Sequence, residues 1–90
     1  MNEKGMKVKI DLDDETAQGI YSNLCFIRHN ETEFVIDFIY VQPHEPKAKV
    51  RARIISSPGH TKQLLLALKE NVDKYEKKFG VVKSKVSGPE

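Results

Sequence analysis

Ninety residues, 39% hydrophobic and 31% charged, make one small soluble domain, too short for two independent cores. No apolar run approaches the roughly 20 residues of a membrane helix and no charged-then-apolar leader opens the chain. The single Cys25 excludes an internal disulfide framework and a cysteine-rich zinc site. The expected compartment is the cytoplasm. A chain this short buries only about 60–65% of its unfolded surface and is marginal alone, so assembly into a homodimer or higher homo-oligomer is expected. The net charge of +2 is unevenly divided: residues 1–45 carry four bases against nine acids, and residues 46–90 eleven against four. Either the two halves attract each other across the fold, or the basic half offers a surface to nucleic acid.

Met6, Val8, Ile10 and Leu12 alternate with Lys7, Lys9 and Asp11, which predicts a first half-buried strand over Met6–Leu12. Asp13-Asp14-Glu15-Thr16 breaks the alternation, and Asp13 or Asp14 can cap one helical turn before Gly19. Ile20–His29 and Glu33–Val41 are rich in β-branched and aromatic residues and predict two strands joined by a tight loop, Asn30-Glu31-Thr32. Pro43 and Pro46 end the third strand, and Lys47–Ser56 alternates again as a fourth. Ser57 is a good N-cap and Pro58 suits the first helical position, where its missing N–H costs nothing. Leu65, Leu68, Val72, Tyr75 and Phe79 then follow at helical spacing, Lys74, Lys77 and Lys78 complement the dipole, and Gly80 supplies the stop. Val81–Val86 reads as a short edge strand. The expected architecture is α+β: an antiparallel four-stranded sheet followed by one long C-terminal helix, a single domain over residues 1–86 with a frayed tail at 87–90.

Directly opposed residues of an antiparallel pair share a face. With a three-residue loop, His29 opposes Glu33, Leu24 faces Phe38 and Phe26 faces Ile36. In the next hairpin, paired numbers sum to 88 or to 90. Phe34, Ile36, Phe38 and Tyr40 then share the core face with Ala48, Val50, Ala52 and Ile54. The other face would carry Tyr21, Asn23, Cys25 and Ile27, then Val35, Asp37, Ile39 and Val41, then Lys49, Arg51 and Arg53. One helix can cover one face, so the apolar residues of the second, Cys25, Ile27, Val35, Ile39 and Val41, are expected to form an interface.

Asp37 stands as an acid within F-V-I-D-F-I-Y-V. A carboxylate there is a catalytic or ligand-binding group, or it is paired with Arg51 or Arg53 across the strands. The pair is the favoured reading, because an unpaired buried carboxylate is costly. Lys47, Lys49, Arg51 and Arg53 form a basic stripe with a spacing suited to phosphates, and Tyr21 or Tyr40 could stack a base. No ribonucleoprotein-type aromatic motif accompanies them, so an ion-paired or solvated face is the simpler reading. His29, Glu31 and Glu33 span a hairpin, His44 lies between prolines, and His60 sits in the first helical turn; no metal-ligand spacing emerges. Cys25 in a strand reads as an inert thiol. No cofactor-binding loop and no catalytic constellation is expected.

Tyr21-Ser22-Asn23, Glu33-Phe34-Val35-Ile36-Asp37-Phe38 and the proline-bracketed loop resemble the bacterial and archaeal family called domain of unknown function 3467. Arg53-Ile54-Ile55-Ser56-Ser57-Pro58, Leu65-x-x-Leu68-x-x-Asn71, Tyr75-Glu76 and Phe79-Gly80 carry the resemblance onward, so that it covers roughly Val8–Val81. Gly59 departs from the acidic residue expected there. The resemblance implies a prokaryotic cytoplasmic protein with no assigned role. Four antiparallel strands followed by a long helix are also similar to the subunit of SecB-type export chaperones, whose oligomers hold unfolded chains. The expected function is therefore a non-enzymatic, oligomeric protein- or polypeptide-binding module, with a nucleic-acid-binding protein using Lys47, Lys49, Arg51 and Arg53 as the alternative.

Overall fold

The computed structural model describes residues 7–84; the domain boundary expected after residue 86 and the tail at 87–90 lie outside them. In chain order the elements are α1 (Asp14–Ala17), β1 (Leu24–His29), β2 (Phe34–Val41), β3 (Ala48–Ser56) and α2 (Pro58–Phe79). The strands form one antiparallel sheet in the order β1-β2-β3. The class is α+β with a C-terminal helix, but with three strands where four were expected. Residues 7–12 form no strand, and Val8, Ile10 and Leu12 are exposed. Alternation makes a strand only where a neighbour supplies a ladder. Residues 81–84 also form no strand; the Val82 N–H donates instead to Glu76 Oε2 at 2.9 Å. No helix among the described residues is long and apolar enough to cross a membrane.

The local signals act where the sequence places them. Asp13 caps α1 by accepting the Thr16 N–H at 2.8 Å, and hydrogen bonding by Thr16 holds its carboxyl below the usual range. Ser57 caps α2, its Oγ accepting the His60 N–H at 3.1 Å and lying 2.9 Å from His60 Nδ1. Pro58 opens the helix, Lys77 and Lys78 lie in its last turn, and Gly80 ends it at φ 103°, a left-handed value that glycine adopts without a Cβ clash.

The register of β1 differs by one residue from the expected one. Leu24 opposes Ile39, Phe26 opposes Asp37 and Ile27 opposes Ile36. The cause is the turn. The Asn30 N–H donates to the Glu33 carbonyl at 3.0 Å, so the connection is the two residues Glu31 and Thr32 rather than three. Asn30 Oδ1 holds it by accepting the Thr32 N–H at 2.8 Å, the Thr32 hydroxyl at 3.1 Å and the Glu33 N–H at 2.9 Å. A slip of one residue turns every side chain to the opposite face. Cys25 and Ile27 therefore join Phe38 and Ile36 on the helix side, and Leu24 and Phe26 move to the other.

Between β2 and β3 the pairing follows the expected sum of 90 from Phe34–Ser56 to Phe38–Ala52, then shifts to Ile39–Val50, Tyr40–Lys49 and Val41–Ala48. The irregularity leaves Arg51 as the extra residue of a bulge. Ala52 and Ile54 keep their place on the helix side, whereas Val50 and Ala48 pass to the other face with Ile39 and Val41, and Lys49 comes to the side of Tyr40.

Packing on the helix side is sparse. Ile36, 3% exposed, is the one buried hydrophobic residue among those described. Leu65 and Leu68 remain 57% and 55% exposed, and Val72, Tyr75 and Phe79 are exposed as well.

Candidate functional site

Three places carry chemistry: a carboxylate clamp on the face away from the helix, an apolar groove under α2, and a basic hollow at the far end of the helix side. On the first face the cross-strand rows are Leu24–Ile39–Val50, Phe26–Asp37–Arg53 and Arg28–Val35–Ile55. Asp37 is at the centre and only 3% exposed. Arg53 grips it with two bonds, Nε to Oδ1 at 2.7 Å and Nη2 to Oδ2 at 3.0 Å. Arg28 Nη1 adds a third to Oδ2 at 3.1 Å, while its guanidinium lies 5.5 Å from the Phe26 ring centroid. The Arg53 hydrogen bonds outweigh burial and hold the Asp37 carboxyl down to about 2, with Arg28 adding to the effect. This group stays ionised at neutral pH and is unsuited to carrying a proton.

Of the two arginines expected as partners of Asp37, Arg53 takes the place and Arg51 does not, because the bulge turns Arg51 away. Arg28 is the partner that sequence reasoning missed. A two-residue turn would have revealed it, since that register sets Arg28 one pair away from Asp37 on the same face. Of the expected interface residues, Val35, Ile39 and Val41 stay on this face and are half-buried; Cys25 and Ile27 are on the helix side.

The groove under α2 is lined by Ile27, Phe34 and Ile36 from the sheet and by Leu64, Leu65 and Leu68 from the helix, and encloses about 380 Å³. Its lining is almost wholly apolar, although Thr61 and Lys62 also contribute to it. Leu64 is an addition to the expected helical stripe. Past Leu68 the stripe continues as Val72 and a Tyr75–Phe79 ring pair at 4.9 Å, beyond the groove.

The basic stripe is divided. Arg53 belongs to the Asp37 clamp, whereas Lys47, Lys49 and Arg51 line an open hollow of about 700 Å³ together with Tyr40 and Gln42. Asn23 shapes this end. Its side chain donates to the Val41 carbonyl at 3.1 Å and accepts the Val41 N–H at 2.8 Å, as the next peptide of β1 would. That brings Tyr21 edge-on to Tyr40, ring centroids 6.2 Å apart at 73°.

The other candidates do not converge. His29 stacks on Phe34 at 5.1 Å, and no group of three or more His, Cys, Asp or Glu among the described residues is placed to hold a metal ion. Desolvation, and then the charge of Asp37, push the Cys25 thiol above its ordinary value, away from the nucleophilic thiolate.

The sequence profile of the family described as "Protein of unknown function (DUF3467)" matches residues 1–84. No curated protein and no solved structure matches the chain. The chain belongs to the DUF3467 family.

Proposed function

We propose that this member of the DUF3467 family is a non-enzymatic subunit of a cytoplasmic homo-oligomer, a dimer or larger, that binds another protein or polypeptide segment. One observation carries the reading: among the described residues a single hydrophobic side chain is buried, while the leucines patterned for a core lie half in water. A second copy covering the groove and the stripe from Leu64 to Phe79 supplies the missing core. An alternating segment without a ladder at Val8–Leu12, and the outer edges of β1 and β3, unpaired among the described residues, fit the same assembly.

The Asp37 face then remains for the bound polypeptide. Its apolar rows surround two fixed guanidinia sharing one carboxylate, which suits a segment carrying an acidic side chain among apolar ones. Light scattering on the purified protein at micromolar concentration tests the assembly: a multiple of the 10.3 kDa chain is expected, and a folded, strictly monomeric species overturns it. Polypeptide binding through the apolar rows should persist from low to moderate salt, because apolar burial is not screened, while the ionic contact to the two guanidinia weakens.

A second reading, nucleic-acid binding, has support of its own in the gathering of Lys47, Lys49 and Arg51 around Tyr40.

A further inference from the structure

We propose that the hollow bounded by Tyr40, Lys47, Lys49 and Arg51 is a site for single-stranded nucleic acid, with a base stacked at the Tyr21–Tyr40 pair and adjoining phosphates on the three cations. The inference deepens the nucleic-acid reading and is independent of the assembly. The β-bulge is what builds the site. A regular ladder would send Lys49, Arg51 and Arg53 to one face around Asp37; the extra residue leaves Arg53 on the clamp and places Lys49 and Arg51 beside Tyr40. Bulges re-aim side chains in this way.

Among the described residues no carboxylate lies within 4 Å of the Lys49 or Arg51 side-chain nitrogens, whereas Lys47 has Glu45 at 3.8 Å. The hollow therefore keeps an excess positive charge. Lys47, just before β3, and Lys49 within it stand two positions apart in the chain and line the same hollow. Tyr21 is 72% exposed and held edge-on to the half-buried Tyr40, so an aromatic face is open to a ligand. Base stacking on such side chains needs an unpaired base and tolerates any sequence. The hollow is open, which suits a passing strand better than an enclosed mononucleotide, and α2 leaves it free by lying over the other end of the face, at Ile27, Phe34 and Ile36. An acidic polypeptide would satisfy the cations but leave the aromatic pair without a role.

The test is fluorescence anisotropy with an end-labelled, mixed-sequence single-stranded oligonucleotide, its duplex and a polyglutamate competitor. The wild-type protein should bind the single strand, with affinity falling steeply as salt rises. Lys49→Glu with Arg51→Glu should lower affinity at least tenfold, and Tyr21→Ala should lower it about five- to a hundredfold. Lys77→Glu with Lys78→Glu, on the far end of α2, should leave it unchanged, and circular dichroism confirms that each variant is folded. No binding by the wild type at low salt overturns the nucleic-acid reading as a whole. Binding that survives the Lys49/Arg51 reversal overturns this site alone. Preference for the duplex, or equal competition by polyglutamate, overturns the proposed ligand.

Discussion

Asp37 and Ile36 are adjacent in β2 and point to opposite sides of the sheet, each at the centre of its face. The carboxyl is depressed from the ordinary value near 3.9 to about 2, so its stabilising contribution is complete above about pH 4 and is lost as pH falls toward 2. Denaturant titrations of the wild type and Asp37→Asn should show a stability gap that narrows across that window. Asp37→Ala alone leaves two guanidinia facing each other without a counter-ion. It should therefore destabilise more than Asp37→Ala combined with Arg53→Ala, and unfolding midpoints that include Arg53→Ala alone complete the cycle that measures the pair. Ile36→Ala opens a cavity at the best-packed position and should cost about 2–5 kcal/mol in the same titration. Asp37 as a paired strand acid was legible from its apolar setting. Arg28 was not, because its face depends on a turn whose length is decided by three hydrogen bonds to one asparagine oxygen.

At the scale of elements, the helix is legible in the sequence because its determinants are local. A cap at Ser57, Pro58, the apolar stripe and Gly80 act within one or two turns of themselves. Ser57→Ala should lower stability by about 1 kcal/mol, read as a lower urea midpoint with the helical signal retained below it. The strands obeyed a different logic. Their existence followed from composition, but which side each residue faces depends on register, and register on turns and bulges. The one-residue difference at Glu31–Thr32 moved Cys25 and Ile27 to the helix side, and the bulge at Arg51 moved Val50 off it. The same bulge divided a basic row that looked continuous into a clamp arginine and a trio around Tyr40.

Over the whole molecule, the helix outreaches the groove it covers. A 22-residue helix is about 33 Å long, and the groove occupies its first three turns only. If a second copy completes the core, thermal stability should depend on protein concentration, with Tm rising over a hundredfold increase. Leu65→Glu with Leu68→Glu should shift the light-scattering mass toward one chain and lower Tm; a Tm independent of concentration counts against an obligate oligomer even if that variant fails to fold. The likeness to SecB-type subunits requires four strands, and the described residues form three.

What the residues determined alone were the features set by near neighbours: the α+β class, three strand runs, the capped helix, the need of Asp37 for an arginine, and the surplus of apolar side chains over what one helix can shelter. Tertiary structure decided the rest. Among the described residues, pairing left Val8, Ile10 and Leu12 without a ladder, brought Arg28 to Asp37, and set Lys47, Lys49 and Arg51 against Tyr40. The last two of these outcomes hang on a count of one residue in a turn or a bulge, and the period of two along a strand converts that single count into a choice between opposite faces.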